Sequence, residues 1–155
     1  MDIPEFKKFN GNPVGELSKY VRKKVLELDS DAYRVVVGTD SQVYKNHTLY
    51  AVAVCIYDVG NGCHVVYSKE KDYEKKERLS DRLWGEVVRT VDVAHYLREK
   101  IKKINVLTHF DVNGDENFKS NIIYDAATGY AEGAGFNWKG KPNSWAATCA
   151  ADRLC

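Results

Sequence analysis

The sequence predicts an α/β fold in which a mixed five-stranded sheet is flanked by helices. Three β-branched, apolar segments follow one another in the first half of the chain, and the turn signal Asn61-Gly62 joins the last two. Segments joined in this way form antiparallel hairpins. In the second half, helical periods alternate with strand-like segments. A crossover through a helix places the strand that follows it parallel to an earlier one.

Length and composition are those of an ordinary soluble domain. The chain has 155 residues, of which 44% are hydrophobic and 29% are charged, and no internal repeat or low-complexity segment divides it. We therefore expect a single domain over residues 1–155, with residues 1–30 as a helical extension at its N-terminus. The 23 basic and 22 acidic residues give a net charge of +1, so nucleic-acid binding would have to depend on local patches.

Membrane insertion and a zinc site are both disfavoured. No run approaches the roughly 18 apolar residues that suggest a membrane span, and the N-terminal segment has no apolar stretch of the signal type. The four cysteines show none of the CxxC spacing that is typical of zinc sites. Scattered cysteines of this kind lead us to expect a cytoplasmic protein.

Capping and periodicity predict the elements of the first half. Asn12 offers a capping side chain and Pro13 suits the first helical position, and apolar residues then recur at helical spacing. A helix is therefore predicted over residues 13–28. The predicted antiparallel strands cover residues 33–39, 49–57 and 63–69.

The second half predicts three helices and two strands. A long helix is predicted over residues 79–102, and a strand over 104–110 follows it. The next helix carries its apolar side chains along one side and is stopped by Gly133 and Gly135; these side chains are Phe118, Ile122, Ala126 and Tyr130. A fifth strand over residues 136–139 and a last helix from about 144 to 154 complete the chain.

Two aspartates close predicted strands that would be parallel neighbours. Asp40 ends the first strand in VVVGTDSQ, and Asp111 ends the fourth in VLTHFDVNG. The carboxyl ends of parallel strands meet at the same edge of a sheet, where α/β proteins commonly place their sites. We therefore expect the two carboxylates to lie together.

Two predicted helices each bring a further carboxylate to this edge. At 100° per residue, Glu86 falls on the border of the buried face of the long helix, whereas Asp81 and Asp92 point toward solvent. On the last helix, Asp152 continues the four-residue spacing of Ser144 and Thr148 among small alanines. Close packing of that helix would let Asp152 reach the same edge.

Four converging carboxylates are the ligands that Mg²⁺ and Mn²⁺ prefer. Two such ions a few ångströms apart can clamp the attacking and leaving oxygens of a phosphodiester. Any one of these acids alone would more often be a cap, a turn residue or an ion-pair partner, but their joint placement favours a metal site. The predicted catalytic and metal-binding residues are Asp40, Glu86, Asp111 and Asp152.

Four segments carry a resemblance to a known family. They are GTDSQ at 38–42, RLWGEV at 82–87, HFDVNG at 109–114 and KPNSWAATCAADR at 141–153. In this order they resemble the YkuK-like family of RNase H-like proteins, over most of the chain from about residue 34 onward. The resemblance implies an RNase H-like fold and the same four metal-binding acids. One departure is Asn143, since the family's last motif usually reads KPDS.

Four further residues are candidates for substrate binding: Ser41, His109, Lys141 and Ser144. Lys141 precedes the last helix, whose N-terminus favours a phosphate. His109 could shuttle a proton or could be a core histidine, and Ser144 could position water or simply cap the helix. Tyrosines could stack bases, although most of the ten fall at positions that read as core.

These patterns favour a metal-dependent phosphodiesterase that cleaves nucleic acid, either RNA or DNA, with two Mg²⁺ or Mn²⁺ ions. The alternative is a non-catalytic binding or scaffold domain that kept the fold, which the near-neutral charge and Asn143 favour. A phosphotransfer ATPase is less supported, because no phosphate-binding loop is present.

Overall fold

A computed structural model describes residues 3–28, 33–58, 60 and 62–147. The strands are β1 (Tyr33–Val43), β2 (Thr48–Asp58), β3 (Gly62–Asp72), β4 (Val106–Asn113) and β5 (Asn137–Lys141). The helices are α1 (Leu17–Leu26), α2 (Leu79–Lys100), a short 3-10 helix (Lys119–Ile123) and α3 (Tyr124–Gly133).

The five strands form one sheet in the order β3-β2-β1-β4-β5. The first three pair antiparallel, whereas β4 pairs parallel to β1 and β5 pairs parallel to β4. The predicted mixed α/β fold is confirmed.

The two faces of the sheet are covered unequally. The main core lies between the sheet and α2, where Val35 and Val37 of β1 belong to the same cluster as Val91 of α2. The opposite face carries a small cluster of Val36, Ala53, Cys55 and Ala146. Gly38 makes this second layer possible, because a Cβ there would lie 2.5 Å from the backbone nitrogen of Ala147. The turn that begins the last helix therefore packs directly on β1.

The strands that carry the two aspartates run further than predicted. β1 continues to Val43 because β2 pairs with it along its whole length, including Asp40 opposite Ala51. β4 continues to Asn113. Asp40 and Asp111 therefore lie within strands and not at their ends, which corrects the prediction. Their common position is preserved, because parallel pairing between the two strands stops at Gly38 and His109, two residues before each aspartate.

The first helix is shorter than predicted. It begins at Leu17 and not at Pro13, because Gly15 has a φ of +76°, in the left-handed region that a right-handed helix excludes. Pro13 instead forms an isolated antiparallel bridge with Lys7, and Lys7 also bridges to Tyr67 of β3. The long helix α2 starts where predicted and ends at Lys100, two residues early.

The predicted apolar side of the third helix is the exposed one. Phe118 and Ile122 are 54% and 68% exposed, whereas Ile123, Ala127 and Ala131 are buried. Ala126 and Tyr130 are exposed as well, so this side is continuous, and the side with Ile123, Ala127 and Ala131 packs in the core instead. The predicted glycine stop is confirmed by Gly135, which has a φ of +82° just beyond the helix.

The remaining predictions concern the chain ends and the hairpin. β5 begins one residue later and ends two residues later than predicted. Helical geometry starts at residues 145–147, but the rest of the predicted last helix, with Asp152, lies outside the described residues, as does Asn61 of the hairpin turn. In the part of the chain that the structure describes, no helix is both long and apolar enough to cross a membrane.

Candidate metal centre

The site lies where β1 and β4 stop pairing with each other. Both strands continue beyond Gly38 and His109, but β4 is irregular between His109 and Asn113. Asp40 and Asp111 stand just beyond this point, where β1 and β4 no longer pair with each other. Unpaired neighbouring strands leave room for a side chain from a third element, and α2 supplies it.

Helix α2 brings Glu86 into this gap. A Cβ at Gly85 would collide with the hydroxyl of Tyr50 on β2, so glycine at this position lets the helix approach the sheet closely. The hydroxyl of Ser41 donates to Glu86 Oε2 at 2.5 Å. One turn later, Thr90 Oγ1 donates to Thr39 Oγ1 at 2.8 Å. These two contacts fix the register of α2 on β1.

The three carboxylates form a compact cluster. One oxygen from each of Asp40, Glu86 and Asp111 lies within 4.8 Å of the others. Oxygen ligands stand about 2.1 Å from Mg²⁺ and about 2.4 Å from Ca²⁺, so two ligands of one ion are separated by at most about 4 to 5 Å. The residues present therefore fit a divalent cation with little movement.

Burial strongly perturbs the carboxyl group of Glu86. Glu86 is only 4% exposed, and burial raises the pKa of its carboxyl well above the ordinary value. The Ser41 hydrogen bond opposes this rise in pKa, while the charges of Asp40 and Asp111 add to it. Among the described residues, Glu86 Oε1 has no hydrogen-bond partner.

A positive charge lies on each side of the cluster. Lys141 Nζ is 2.9 Å from Asp111 Oδ1, in an ion pair that lacks hydrogen-bond geometry. Arg82 Nη1 donates to the backbone oxygen of Ser41 at 2.9 Å, and its charge lowers the pKa of Glu86. Arg82 is a residue of the site that was not predicted from the sequence. The signal that could have found it is its spacing, four residues before Glu86.

His109 is separated from this chemistry by its burial. It is 1% exposed, its Nδ1 accepts the backbone N–H of Ala146 at 3.1 Å, and its ring packs edge-on against Trp145. Burial, helped by the charge of Lys139, lowers the pKa of its imidazole to about 4. These contacts match a core histidine better than a group that meets substrate.

The structure therefore brings together five of the predicted site residues: Asp40, Ser41, Glu86, Asp111 and Lys141. Ser144 is fully buried beside the start of the last helix. Asp152 lies outside the described residues, so its role as fourth ligand stays a prediction.

Comparison with known proteins identifies the family of the chain. The model of the family described as Ribonuclease H-like matches residues 16–155. No curated protein matches the chain. Among solved structures, LC11-RNase H1, isolated from compost by a metagenomic approach, is 13% identical with a TM-score of 0.43, over 78% of this chain and 91% of its own. The assignment rests on the family match, which confirms the predicted YkuK-like, RNase H-like relationship. The chain belongs to the ribonuclease H-like family.

Proposed function

We propose that the protein is a metal-dependent phosphodiesterase that cleaves nucleic acid. One observation carries the proposal: a buried glutamate, Glu86, faces two further carboxylates and keeps one oxygen without a hydrogen-bond partner among the described residues. A buried, incompletely bonded carboxylate is costly, and negative charges in one site repel each other. A divalent cation would remove both costs, and the all-oxygen ligand set suits Mg²⁺ or Mn²⁺.

Each residue of the centre has a distinct proposed task. Asp40 would hold both ions, while Glu86 and Asp111 would each hold one, with Asp152 as a fourth ligand. Two bound ions supply an activated water and stabilise the leaving oxygen. Ser41 holds one oxygen of Glu86 in place, and Arg82 fixes the backbone of Ser41.

An aromatic cluster at the same end of the sheet supports nucleic acid as the substrate. Tyr44 follows the last residue of β1 and Tyr73 follows the last residue of β3, and they are 40% and 75% exposed. His47 lies between them, stacked on Tyr44 at 5.0 Å and 6.2 Å from the Tyr73 ring. Exposed rings beside a phosphodiester site suit stacking with unpaired bases.

The charges around this cluster favour stacking over phosphate attraction. Lys75 pairs with Glu77 and Lys76 pairs with Glu74, so these nearby cations are locally neutralised. This agrees with the net charge of +1. We therefore expect single-stranded segments to bind better than intact duplex. A cytoplasmic setting remains a prediction, and the free thiols of Cys55 and Cys63 are compatible with it.

A cleavage assay tests the proposal directly. Purified protein with Mn²⁺ is expected to cleave RNA, DNA or a hybrid, and Asp40→Asn is expected to abolish cleavage because it removes a ligand charge. Asp81→Asn, an exposed acid on the same helix as Glu86, is the matched control and should cleave normally. Absence of cleavage across a panel of all three substrates would contradict the proposal.

The non-catalytic alternative is favoured by two observations: Lys141 already neutralises Asp111, and Asn143 replaces the aspartate that is usual in the family. Calorimetry with Mn²⁺ separates the two functions. Mn²⁺ binding that is lost in both Asp40→Asn and Asp111→Asn supports the metal enzyme, whereas no such binding supports the scaffold.

The aromatic cluster has its own test. Tyr73→Ala is expected to weaken binding of a single-stranded oligonucleotide about fivefold or more, since one stacked base is worth about 1–3 kcal/mol. Tyr73→Phe should restore the affinity, because it keeps the ring. Phe9→Ala serves as the control, as Phe9 is an exposed ring that stacks on Tyr67 elsewhere. Equal effects of the two alanine variants would exclude this surface.

A further inference from the structure

The ion pair of Lys141 differs from those of the other lysines that have an acidic partner among the described residues. The pairs of Lys19, Lys24, Lys75 and Lys76 join close neighbours in sequence, and their acidic partners are exposed, so such pairs contribute little. Lys141 instead reaches across from β5 to Asp111 on β4, at 2.9 Å. Asp111 is 19% exposed in its side chain and belongs to the carboxylate cluster. The ammonium therefore meets a group that the proposed metal also needs.

The geometry of this pair favours exchange. The ammonium lies 2.9 Å from Asp111 Oδ1, and a divalent ion held by the cluster of Asp40, Glu86 and Asp111 would compete with it for the same carboxylate. The backbone of Lys141 is held by pairing with Asn113 and by the following turn, in which Asn143 N–H donates to the oxygen of Gly140 at 2.9 Å. Displacement thus requires movement of the flexible side chain alone.

A cavity beside Lys141 offers the displaced ammonium both space and a ligand. A cavity of about 300 Å³ is lined by Tyr124, Trp138, Lys139, Gly140, Lys141 and Asn143. Two ammonium groups and a side-chain amide offer donors to a phosphate, and two rings offer surfaces to a sugar or base. The cavity therefore suits the substrate strand next to the carboxylates.

We propose that Lys141 is an internal counter-ion that Asp111 exchanges for a divalent cation, after which the lysine binds a phosphate of the substrate. The inference rests on the proposed function, because it needs a metal and a phosphodiester at this site. Lys141 thus has two successive partners, first the carboxylate of Asp111 and then a phosphate of the substrate. In the metal-free protein it neutralises Asp111, and in the loaded protein it contributes to substrate affinity.

The first arm of the test measures Mn²⁺ affinity by calorimetry. Lys141→Met keeps the length of the side chain and removes its charge. It is expected to bind Mn²⁺ about threefold to fivefold more tightly than the unaltered protein, because the competing ammonium is gone. Lys139→Met, two residues earlier in the same strand and lining the same cavity, is the matched control and should change the affinity less than twofold.

The second arm measures binding of a phosphorothioate single strand at saturating Mn²⁺. Lys141→Met is expected to bind it more weakly, with a salt dependence reduced by about one phosphate contact. Tighter Mn²⁺ binding together with weaker strand binding supports the exchange. If Mn²⁺ affinity in Lys141→Met matches Lys139→Met, the counter-ion role is overturned. If strand binding is unchanged, the exchange is overturned.

Failure of the inference is distinguishable from failure of the proposed function. An unaltered protein that binds no Mn²⁺ refutes the metal enzyme and the exchange with it. An unaltered protein that binds Mn²⁺ and cleaves nucleic acid, while the two lysine variants behave alike, refutes only the exchange.

Discussion

Two ionisable side chains are buried on opposite faces of the sheet, and they differ in whether the protein supplies their hydrogen-bond partners. Glu86 reaches the sheet from α2, on the side of the main core, whereas His109 lies on the other face against Trp145 and Ala146. Burial shifts both toward the uncharged form, raising the pKa of Glu86 and lowering that of His109 to about 4. The imidazole receives a backbone N–H, while Glu86 Oε1 receives nothing from the described residues.

The difference separates a structural group from a functional one. A buried polar group whose hydrogen bonds are supplied by the protein itself contributes to stability and to specificity of packing. A buried polar group that lacks a hydrogen-bond partner costs stability unless a ligand supplies one. His109 belongs to the first kind and Glu86 to the second, although both are ionisable residues with almost no exposed surface.

The largest expected effect of this difference is on catalysis. Glu86→Gln is expected to lower Mn²⁺-dependent cleavage about 100-fold or more, because a ligand charge is lost, and to weaken Mn²⁺ binding. The same change should stabilise the metal-free protein near neutral pH, since folding would no longer require this carboxyl to take up a proton or to be buried as a charge. Cleavage rates and unfolding with EDTA present measure the two effects. A variant that keeps full activity would show that Glu86 is not a ligand.

The second expected effect is on stability alone. His109→Leu should lower the free energy of unfolding by about 1–3 kcal/mol, because the buried N–H of Ala146 loses its acceptor. Urea unfolding measures this loss, and His95→Leu, at an exposed histidine of α2, is the control. Mn²⁺-dependent cleavage by the folded His109→Leu protein should be largely retained. Lost cleavage with unchanged stability would instead support the proton-shuttle interpretation.

The part of the centre that the sequence predicts depends on local patterns. Asp40 and Asp111 each follow an apolar, β-branched segment, and helical periodicity separates Glu86 from Asp81 and Asp92. The structure brings the first three into one cluster. The predicted mixed sheet is confirmed for the same reason, because alternation of helix and strand dictates crossovers.

The parts that the sequence does not predict depend on partners distant in the chain. The pairing of Lys141 with Asp111 follows from the register of β5 on β4, which no local pattern encodes. The ends of β1 are set by β2, so Asp40 is placed inside a strand that its own sequence appeared to end. The exposure of Phe118 and Ile122 likewise depends on which side the chain turns toward the sheet, and apolar periodicity alone does not specify this.

The smallest expected effect is a pair of opposite pH dependences in the metal-free protein. Above pH 4.5, the ordinary value for Glu, unfolded Glu86 loses its proton while the folded group keeps it. Its contribution to stability is therefore complete below pH 4.5 and is lost as pH rises through the raised pKa. For His109 the unfolded group binds a proton below 6.5, but the folded group does so only below about 4. Its contribution is present above pH 6.5 and is lost as pH falls toward 4.

Each slope is limited to about 1.4 kcal/mol per pH unit. Urea unfolding from pH 4 to 8 in EDTA should show that Glu86→Gln flattens the decline on the alkaline side only. His109→Leu should flatten the decline on the acidic side only. A common pH profile for both variants and the unaltered protein would remove the distinction between the two buried groups.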